Sequence, residues 1–132
     1  MPLLIIEGAS EGVRRTYEHD PRLVVWWSTE AECASALSRR ERQEELSAET
    51  ATQALAQLEA LKGAWYEIHP ADAVRRTARR LLRVHDLRAG DALQIAAAIV
   101  AAEDHPDRLE VVTLDERMSA ALLKEGFALT SL

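Results

Sequence analysis

The chain has 132 residues, the length of one compact domain, and 48% of them are hydrophobic, which excludes an intrinsically disordered protein. Its 22 acidic residues outnumber its 16 basic ones, for a net charge of −6. This excess of negative charge argues against a protein whose main role is to coat duplex DNA, but it leaves open an acidic metal site that acts on phosphates.

The N-terminal half contains a strand followed by two helices and a second strand. Leu23–Trp27 is short, apolar and rich in β-branched and aromatic residues, which predicts a buried strand in which at least one of the two tryptophans is core. Helices are predicted from about Thr29 to Arg42 and from about Ser47 to Lys62. Trp65–Ile68 then has the composition of a short strand.

The C-terminal half continues the alternation of helices and strands. Apolar residues at helical spacing predict an amphipathic helix whose inward face carries Val74, Ala78, Leu81 and Leu82. The next helix, from about Asp91 to Glu103, is apolar nearly all round and is therefore expected to be buried against a sheet. Val111–Leu114 is a predicted strand, and Phe127–Leu129 is another after a last helix. The inward residues of that last helix are Met118, Ala121 and Leu122.

These elements together predict the fold class. Apolar strands that lack two-residue alternation and are separated by helices are typical of a parallel sheet covered on both faces. No linker divides the chain and no internal repeat is visible. We therefore expect residues 1–132 to form a single α/β domain.

Two features bear on where the protein works. The single cysteine, Cys33, cannot form an internal disulfide, which favours a reducing cytoplasmic location. The longest uncharged apolar stretch, from Ala92 to Ala102, is too short to cross a bilayer, and the N-terminus lacks the basic region of a signal peptide. We expect no membrane association.

Three carboxylates occupy equivalent places in the predicted fold. Glu32 lies in the first turn of the helix after the first strand, Asp91 opens the apolar helix, and Asp115 follows strand Val111–Leu114. In a parallel sheet the strand ends and helix starts share one edge, where ligands bind, so these residues are expected to converge. Mg²⁺ or Mn²⁺ would relieve the repulsion between them, because such hard cations prefer carboxylate and water oxygens.

Each carboxylate also has a structural interpretation. Thr29 and Glu32 have the spacing of a capping box, in which the glutamate reaches back to an amide at the helix start. Asp91 and Asp115 are suited to capping their own helices, and the helix dipole favours acids there in any case. The spacing alone does not decide between capping and metal binding.

Three segments resemble the acidic motifs of one enzyme family. Trp27–Leu37 resembles the segment around the glutamate of the PIN-domain ribonucleases, and Leu87–Ala98 looks like their second motif, an aspartate followed by an apolar helix. Val111–Met118 is similar to their third motif, a strand that ends in Thr-x-Asp. The order and spacing agree over essentially the whole chain, and the chain is most similar to the VapC-type toxins of bacterial toxin–antitoxin pairs.

The resemblance implies a function and a set of partners. PIN-domain proteins have a doubly wound parallel sheet with helices on both faces and hydrolyse RNA with Mg²⁺ or Mn²⁺. It implies that Glu32, Asp91 and Asp115 are the catalytic metal ligands. The expected partners are an RNA substrate, a small antitoxin and a second copy of this chain.

Several other residues are candidates for roles at this site. Thr113 matches a site threonine that orients Asp115 or a bound water, although an ordinary strand residue is an equally good interpretation. Glu116 is a candidate auxiliary acid, with a solvated first-turn residue as the better alternative. Arg88, three residues before Asp91, is placed to contact a scissile phosphate.

One helix carries a row of arginines on the face opposite its apolar residues, comprising Arg75, Arg76, Arg79, Arg80 and Arg83. A solvated helix face is the commoner meaning of such a pattern. In an acidic protein the row is also suited to guide an RNA backbone or to meet an acidic partner segment. His85, which follows this helix, is expected to be a capping or surface residue.

The N-terminus departs from the family pattern. PIN domains begin with a strand that ends in an aspartate, whereas Pro2–Glu11 resembles a later helix end, and Met1–Leu4 has the composition of a helix interior. We therefore expect the native N-terminus, of roughly ten residues with a strand and the first aspartate, to be missing. Glu7 is the one early acid that could replace the missing ligand. The alternative function is a non-catalytic PIN-like module that binds RNA or a protein and has lost its metal site.

Overall fold

The computed structural model describes the backbone of residues 3–5 and 23–113 and of residues 116–129. Its strands are β1 (Leu3–Ile5), β2 (Leu23–Trp26), β3 (Tyr66–Ile68), β4 (Glu110–Val112) and β5 (Ala128–Leu129). Its helices are α1 (Thr29–Arg42), α2 (Ala48–Lys62), α3 (Asp72–Val84), α4 (Ala89–Ala101) and α5 (Glu116–Lys124), with a 3₁₀ turn at Pro106–Arg108. From Leu23 onwards the predicted order of strands and helices is confirmed.

The strands form one small parallel sheet in the order β3-β2-β1-β4-β5. Strand β1 lies at its centre, where Leu3 is in register with Leu23 of β2 and with Glu110 of β4. From β1 the sheet extends through β2 to β3 on one side and through β4 to β5 on the other. The crevice at which ligands bind in such sheets therefore lies where β1 and β4 end.

The central strand corrects the expectation for the N-terminus. The prediction of a helix interior is wrong for Leu3 and Leu4, because Leu3–Ile5 forms the central strand. Met1 and Pro2 lie outside the described residues, and the loss of a native N-terminal strand with its aspartate stays a prediction. A slot between two parallel strands offers hydrogen-bond partners on both sides, and this outweighs the local pattern. Ile6 and Glu7 follow β1 and lie outside the described residues, so Glu7 as a fourth acid stays a prediction.

Helix α4 is the buried element that organises the core. Residues 94–99 are all buried, together with Ala92, as the apolar sequence predicts. The core cluster joins them to the inner face of α3, to Trp26 of β2 and to Val111 of β4. Trp26 is 7% exposed and its neighbour Trp27 is 53% exposed, so one of the two tryptophans belongs to the core and the other does not.

Two details of the helices differ from the prediction. Leu82 was expected on the inner face of α3 but is 41% exposed, because at 100° per residue it lies about 80° from Val74, at the edge of the buried stripe. Helix α4 begins at Ala89 rather than at Asp91, which makes Asp91 its third residue. None of the helices in the described part of the chain combines the length and hydrophobicity that crossing a membrane requires.

Candidate functional site

Glu32 projects from the first turns of α1, just beyond the end of β2. The residue that caps α1 is Ser28, not Thr29, and no side chain bonds to the free amides there. The capping-box interpretation of Thr29 and Glu32 is therefore wrong. Instead the Ser28 hydroxyl donates to Glu32 Oε1 at 3.2 Å, so this carboxylate is held by a side chain and is not used to satisfy the helix end.

A second side chain holds Glu32 from across the fold. Gln94, in α4, donates from its Nε2 to Glu32 Oε2. Gln94 is only 7% exposed, whereas Glu32 is an exposed residue, so the contact lies where the buried helix meets the surface. It joins two segments that are 62 residues apart in sequence.

Asp91 lies one helical turn before Gln94 on α4. Side chains three residues apart on a helix lie on the same face, with Cβ atoms about 5–6 Å apart. Asp91 is therefore within one turn of the residue that contacts Glu32. Its Oδ2 accepts the backbone N–H of Arg88 at 3.4 Å, as a capping role requires, so Asp91 satisfies its own helix start.

Two buried oxygens beside Glu32 have no hydrogen-bond partner among the described residues. They are Gln94 Oε1 and Thr29 Oγ1. Thr29 is 1% exposed and lies three residues before Glu32, on the same face of α1. Leaving a buried acceptor unpaired costs about 1–3 kcal/mol, so within the described residues both atoms lower the stability of the protein.

The donor set fits a hard divalent cation. Carboxylate oxygens are among the ligands that Mg²⁺ and Mn²⁺ prefer, and Glu32 and Asp91 supply them. In the described ranges no three acidic, histidine or cysteine side chains gather closely enough to hold a metal. Asp115, the third predicted ligand, lies outside those ranges.

The remaining predicted site residues lie where strand β4 ends and where helices α4 and α5 begin. Thr113 is half-buried and directly follows β4, and Glu116 is exposed as the first residue of α5. Arg88 is exposed, with its Nε 3.9 Å from Asp91 Oδ2. The structure brings Arg88, Asp91 and Glu32 to one region through α4 and leaves the guanidinium of Arg88 accessible.

Gln94 is the site residue that sequence reasoning missed. A signal for it was present, because Gln94 is the one polar side chain in the apolar run from Ala92 to Ala102. A buried polar residue within an apolar helix needs a partner. The sequence does not show that this partner is Glu32.

A second polar cluster also escaped prediction. We call the side chains of Glu125, Arg80 and His85 the Glu125 cluster. Arg80 binds the Glu125 carboxylate through both terminal nitrogens, at 2.9 and 3.3 Å, and His85 Nε2 lies 2.8 Å from its Oε2. His85 lies at the C-cap of α3, as one of its two expected roles requires, whereas its side chain is only 5% exposed, so the expected surface role is wrong. The Arg80 hydrogen bond, with help from His85 and against the effect of burial, lowers the pKa of Glu125.

The arginine row of α3 is only partly neutralised. Arg75 pairs with Asp72, and Arg80 belongs to the Glu125 cluster. Arg76, Arg79 and Arg83 are exposed and form no ion pair with any other described residue. Arg79 lies three residues after Arg76 and Arg83 lies seven residues after it. This spacing places all three on one side of the helix.

Comparison with known proteins finds similar folds but no significant match by sequence. No family model matches the chain, and no curated protein matches it at a significant level. Three solved structures share its fold over 98% of its length. PAE2754 from Pyrobaculum aerophilum has a TM-score of 0.64 and 21% identity, and 83% of its own chain is covered.

The other two structures are named as VapBC proteins. VapBC-1 from nontypeable Haemophilus influenzae has a TM-score of 0.60 and 9% identity, with 96% of that chain covered. VapBC2 from Rickettsia felis, bound to a DNA fragment from its promoter, has a TM-score of 0.63 and 12% identity, with 98% covered. At these identities the likeness concerns the fold alone. It supports the PIN-like, VapC-like α/β fold that the three motifs imply.

Proposed function

We propose that this protein is a metal-dependent endoribonuclease and the toxin of a toxin–antitoxin pair. One observation carries the proposal: Glu32 is held by Gln94 one helical turn from Asp91, so two of the three acidic motifs meet on a VapC-like fold.

Each residue has a defined task in the proposed reaction. Glu32, Asp91 and Asp115 would hold Mg²⁺ or Mn²⁺, which when bound makes water a stronger nucleophile and neutralises charge on the phosphate. Arg88, with its exposed guanidinium beside Asp91, is suited to contact the scissile phosphate. Thr113 would orient Asp115, and Glu116 would serve as an auxiliary acid at the start of α5.

Single-stranded or looped RNA is the proposed substrate. A narrow acidic crevice requires a splayed backbone, which duplex RNA does not present. The three unpaired arginines of α3 supply positive charge for the rest of the strand on a protein whose net charge is −6. Their side chains are exposed along one helix face, where a flexible polyanion has access.

The proposed partners are a small antitoxin and a second copy of the chain, in a cytoplasmic setting. Two of the similar structures are named as VapBC proteins, which supports an antitoxin. Exposed apolar side chains such as Trp27, Tyr66 and Leu123 support a dimer, which light scattering at micromolar concentration would test. We also propose that the sheet is doubly wound with helices on both faces, and the strand order around β1 supports this.

The proposal is tested with the purified protein and structured RNA. We expect cleavage in Mg²⁺ or Mn²⁺ that EDTA abolishes, and we expect Asp91→Asn to lower the rate by about 100-fold or more, because it removes a charged ligand. Asparagine can still accept the Arg88 N–H, so the helix start should survive. Asp107→Asn, an exposed residue of the 3₁₀ turn, is the matched control.

The same experiment distinguishes the proposed nuclease from the alternative function, a non-catalytic module that binds RNA or a protein. Cleavage by Asp91→Asn at the parental rate would mean that Asp91 only caps α4. RNA binding that is insensitive to EDTA, without any cleavage, would favour the non-catalytic module. The sequence argument for that module is the missing first aspartate, and Glu7, its candidate replacement, lies outside the described residues.

A further inference from the structure

We propose that Gln94 is a positioning residue of the metal site, which holds the Glu32 carboxylate in its metal-binding orientation. The inference rests on the proposed function and adds to it a residue outside the three acidic motifs. Three observations on the described residues support it: the hydrogen bond from Gln94 to Glu32, the burial of the Gln94 side chain, and the unpaired Oε1 of Gln94.

The contact defines which way the amide faces. A carboxylate only accepts hydrogen bonds, so the group that faces Glu32 must be the amide NH₂ of Gln94. Its carbonyl oxygen Oε1 then points elsewhere, and it is this atom that is buried and unpaired. With Ser28 on Oε1 of Glu32 and Gln94 on Oε2, both carboxylate oxygens are held.

Stability does not explain why this position is polar. The residues around Gln94 in α4 are apolar and fully buried, as Ala92, Ile95 and Ala96 show. An apolar residue here would avoid an unpaired carbonyl oxygen, which costs about 1–3 kcal/mol. The hydrogen bond that Gln94 makes goes to an exposed carboxylate that water could solvate instead. The gain therefore lies in the orientation of Glu32.

Holding Glu32 matters because its side chain is long and lies at the surface. A free glutamate samples several rotamers and loses that freedom when it binds an ion. A side chain whose rotamer is already fixed in the metal-free protein does not lose this conformational entropy when the ion binds. Residues that orient metal ligands in this way typically account for 10–100-fold in metal affinity.

The test compares Gln94→Met with the wild type. Methionine keeps the length and the helix preference of glutamine and removes both its donor and its unpaired acceptor. We expect Mn²⁺ affinity, measured by calorimetry, to fall on the order of 10–100-fold. We expect the melting temperature of the metal-free protein to stay the same or to rise. Gln57→Met, an exposed position of α2, should change neither quantity.

The outcomes separate this inference from the proposed function. Unchanged Mn²⁺ affinity in Gln94→Met, together with lost affinity in Asp91→Asn, overturns the role of Gln94 and leaves the metal site standing. A lower melting temperature that accompanies the weaker binding would make Gln94 a structural residue, and Gln94→Leu repeats this comparison with a different shape. A wild-type protein that binds no Mn²⁺ overturns both proposals.

Discussion

Glu32 and Glu125 each connect two helices through hydrogen bonds, and the polar groups around them are paired to different degrees. Glu125 is bound through both oxygens by Arg80 and by the nearly buried His85, and no buried atom of that cluster is left unpaired in the described part of the chain. Glu32 is held by Ser28 and Gln94, yet Gln94 Oε1 and Thr29 Oγ1 beside it have no partner among the described residues.

We interpret this difference as one between a structural cluster at Glu125 and the proposed metal site at Glu32. A saturated network of a carboxylate, a guanidinium and an imidazole fixes the positions of the elements it joins, here the end of α3 and the end of α5. A network that leaves buried acceptors unpaired sacrifices stability, and proteins retain such groups where function requires them. We therefore expect changes at Glu125 to affect folding and changes at Glu32 to affect metal binding.

The largest expected effect on stability comes from Glu125→Ala. It leaves His85 without its carboxylate partner and removes the bidentate partner of Arg80, so we expect the free energy of unfolding to fall by about 1–3 kcal/mol. Mn²⁺ affinity should stay at the wild-type value. Chemical denaturation and calorimetry measure the two quantities. Glu45→Ala, which removes an exposed partner of Arg40, is the control and should cost less than about 0.5 kcal/mol. Equal losses in the two variants would refute the structural role of the cluster.

The pH dependence of stability should show a smaller effect of the same cluster. Because the folded protein holds the pKa of Glu125 below its usual range, this carboxylate contributes stability above its unfolded pKa, and the contribution is lost as the pH falls through the folded pKa. The wild type should therefore lose more stability than Glu125→Gln between about pH 6 and about pH 3. Melting temperatures across this range measure the difference. A constant difference at every pH would contradict the assignment.

The smallest effect is expected from the unpaired arginines of α3. Replacing Arg79 and Arg83 by glutamine should weaken the binding of single-stranded RNA a few-fold and should reduce the salt slope by about 0.7 for each lost phosphate contact. Filter binding at several salt concentrations measures both. Arg39→Gln with Arg42→Gln removes the same charge from α1. If this control pair has an equal effect, net charge rather than the α3 row attracts the RNA.

The sequence by itself determined the fold class and most of the elements. The bounds of α1 agree with the prediction, and the apolar run of α4 is buried as expected, because helical periodicity and all-round hydrophobicity are local properties of the chain. The buried positions Met118, Ala121 and Leu122 of α5 follow from the same periodicity. The parallel pairing of the strands agrees with their uninterrupted apolar composition.

Only the tertiary structure decided how distant residues meet. Leu3–Ile5 is too short for its apolar composition to distinguish a strand from a helix, and its place between β2 and β4 comes from hydrogen bonds to segments far along the chain. Gln94 meets Glu32 across 62 residues, and Arg80 meets Glu125 across 45. The capping-box spacing of Thr29 and Glu32 was misleading, because Glu32 accepts hydrogen bonds from Ser28 and from Gln94 on another helix instead of from a backbone amide at the helix start. Local patterns report which face of an element is apolar, whereas a polar contact between elements depends on packing that no single segment encodes.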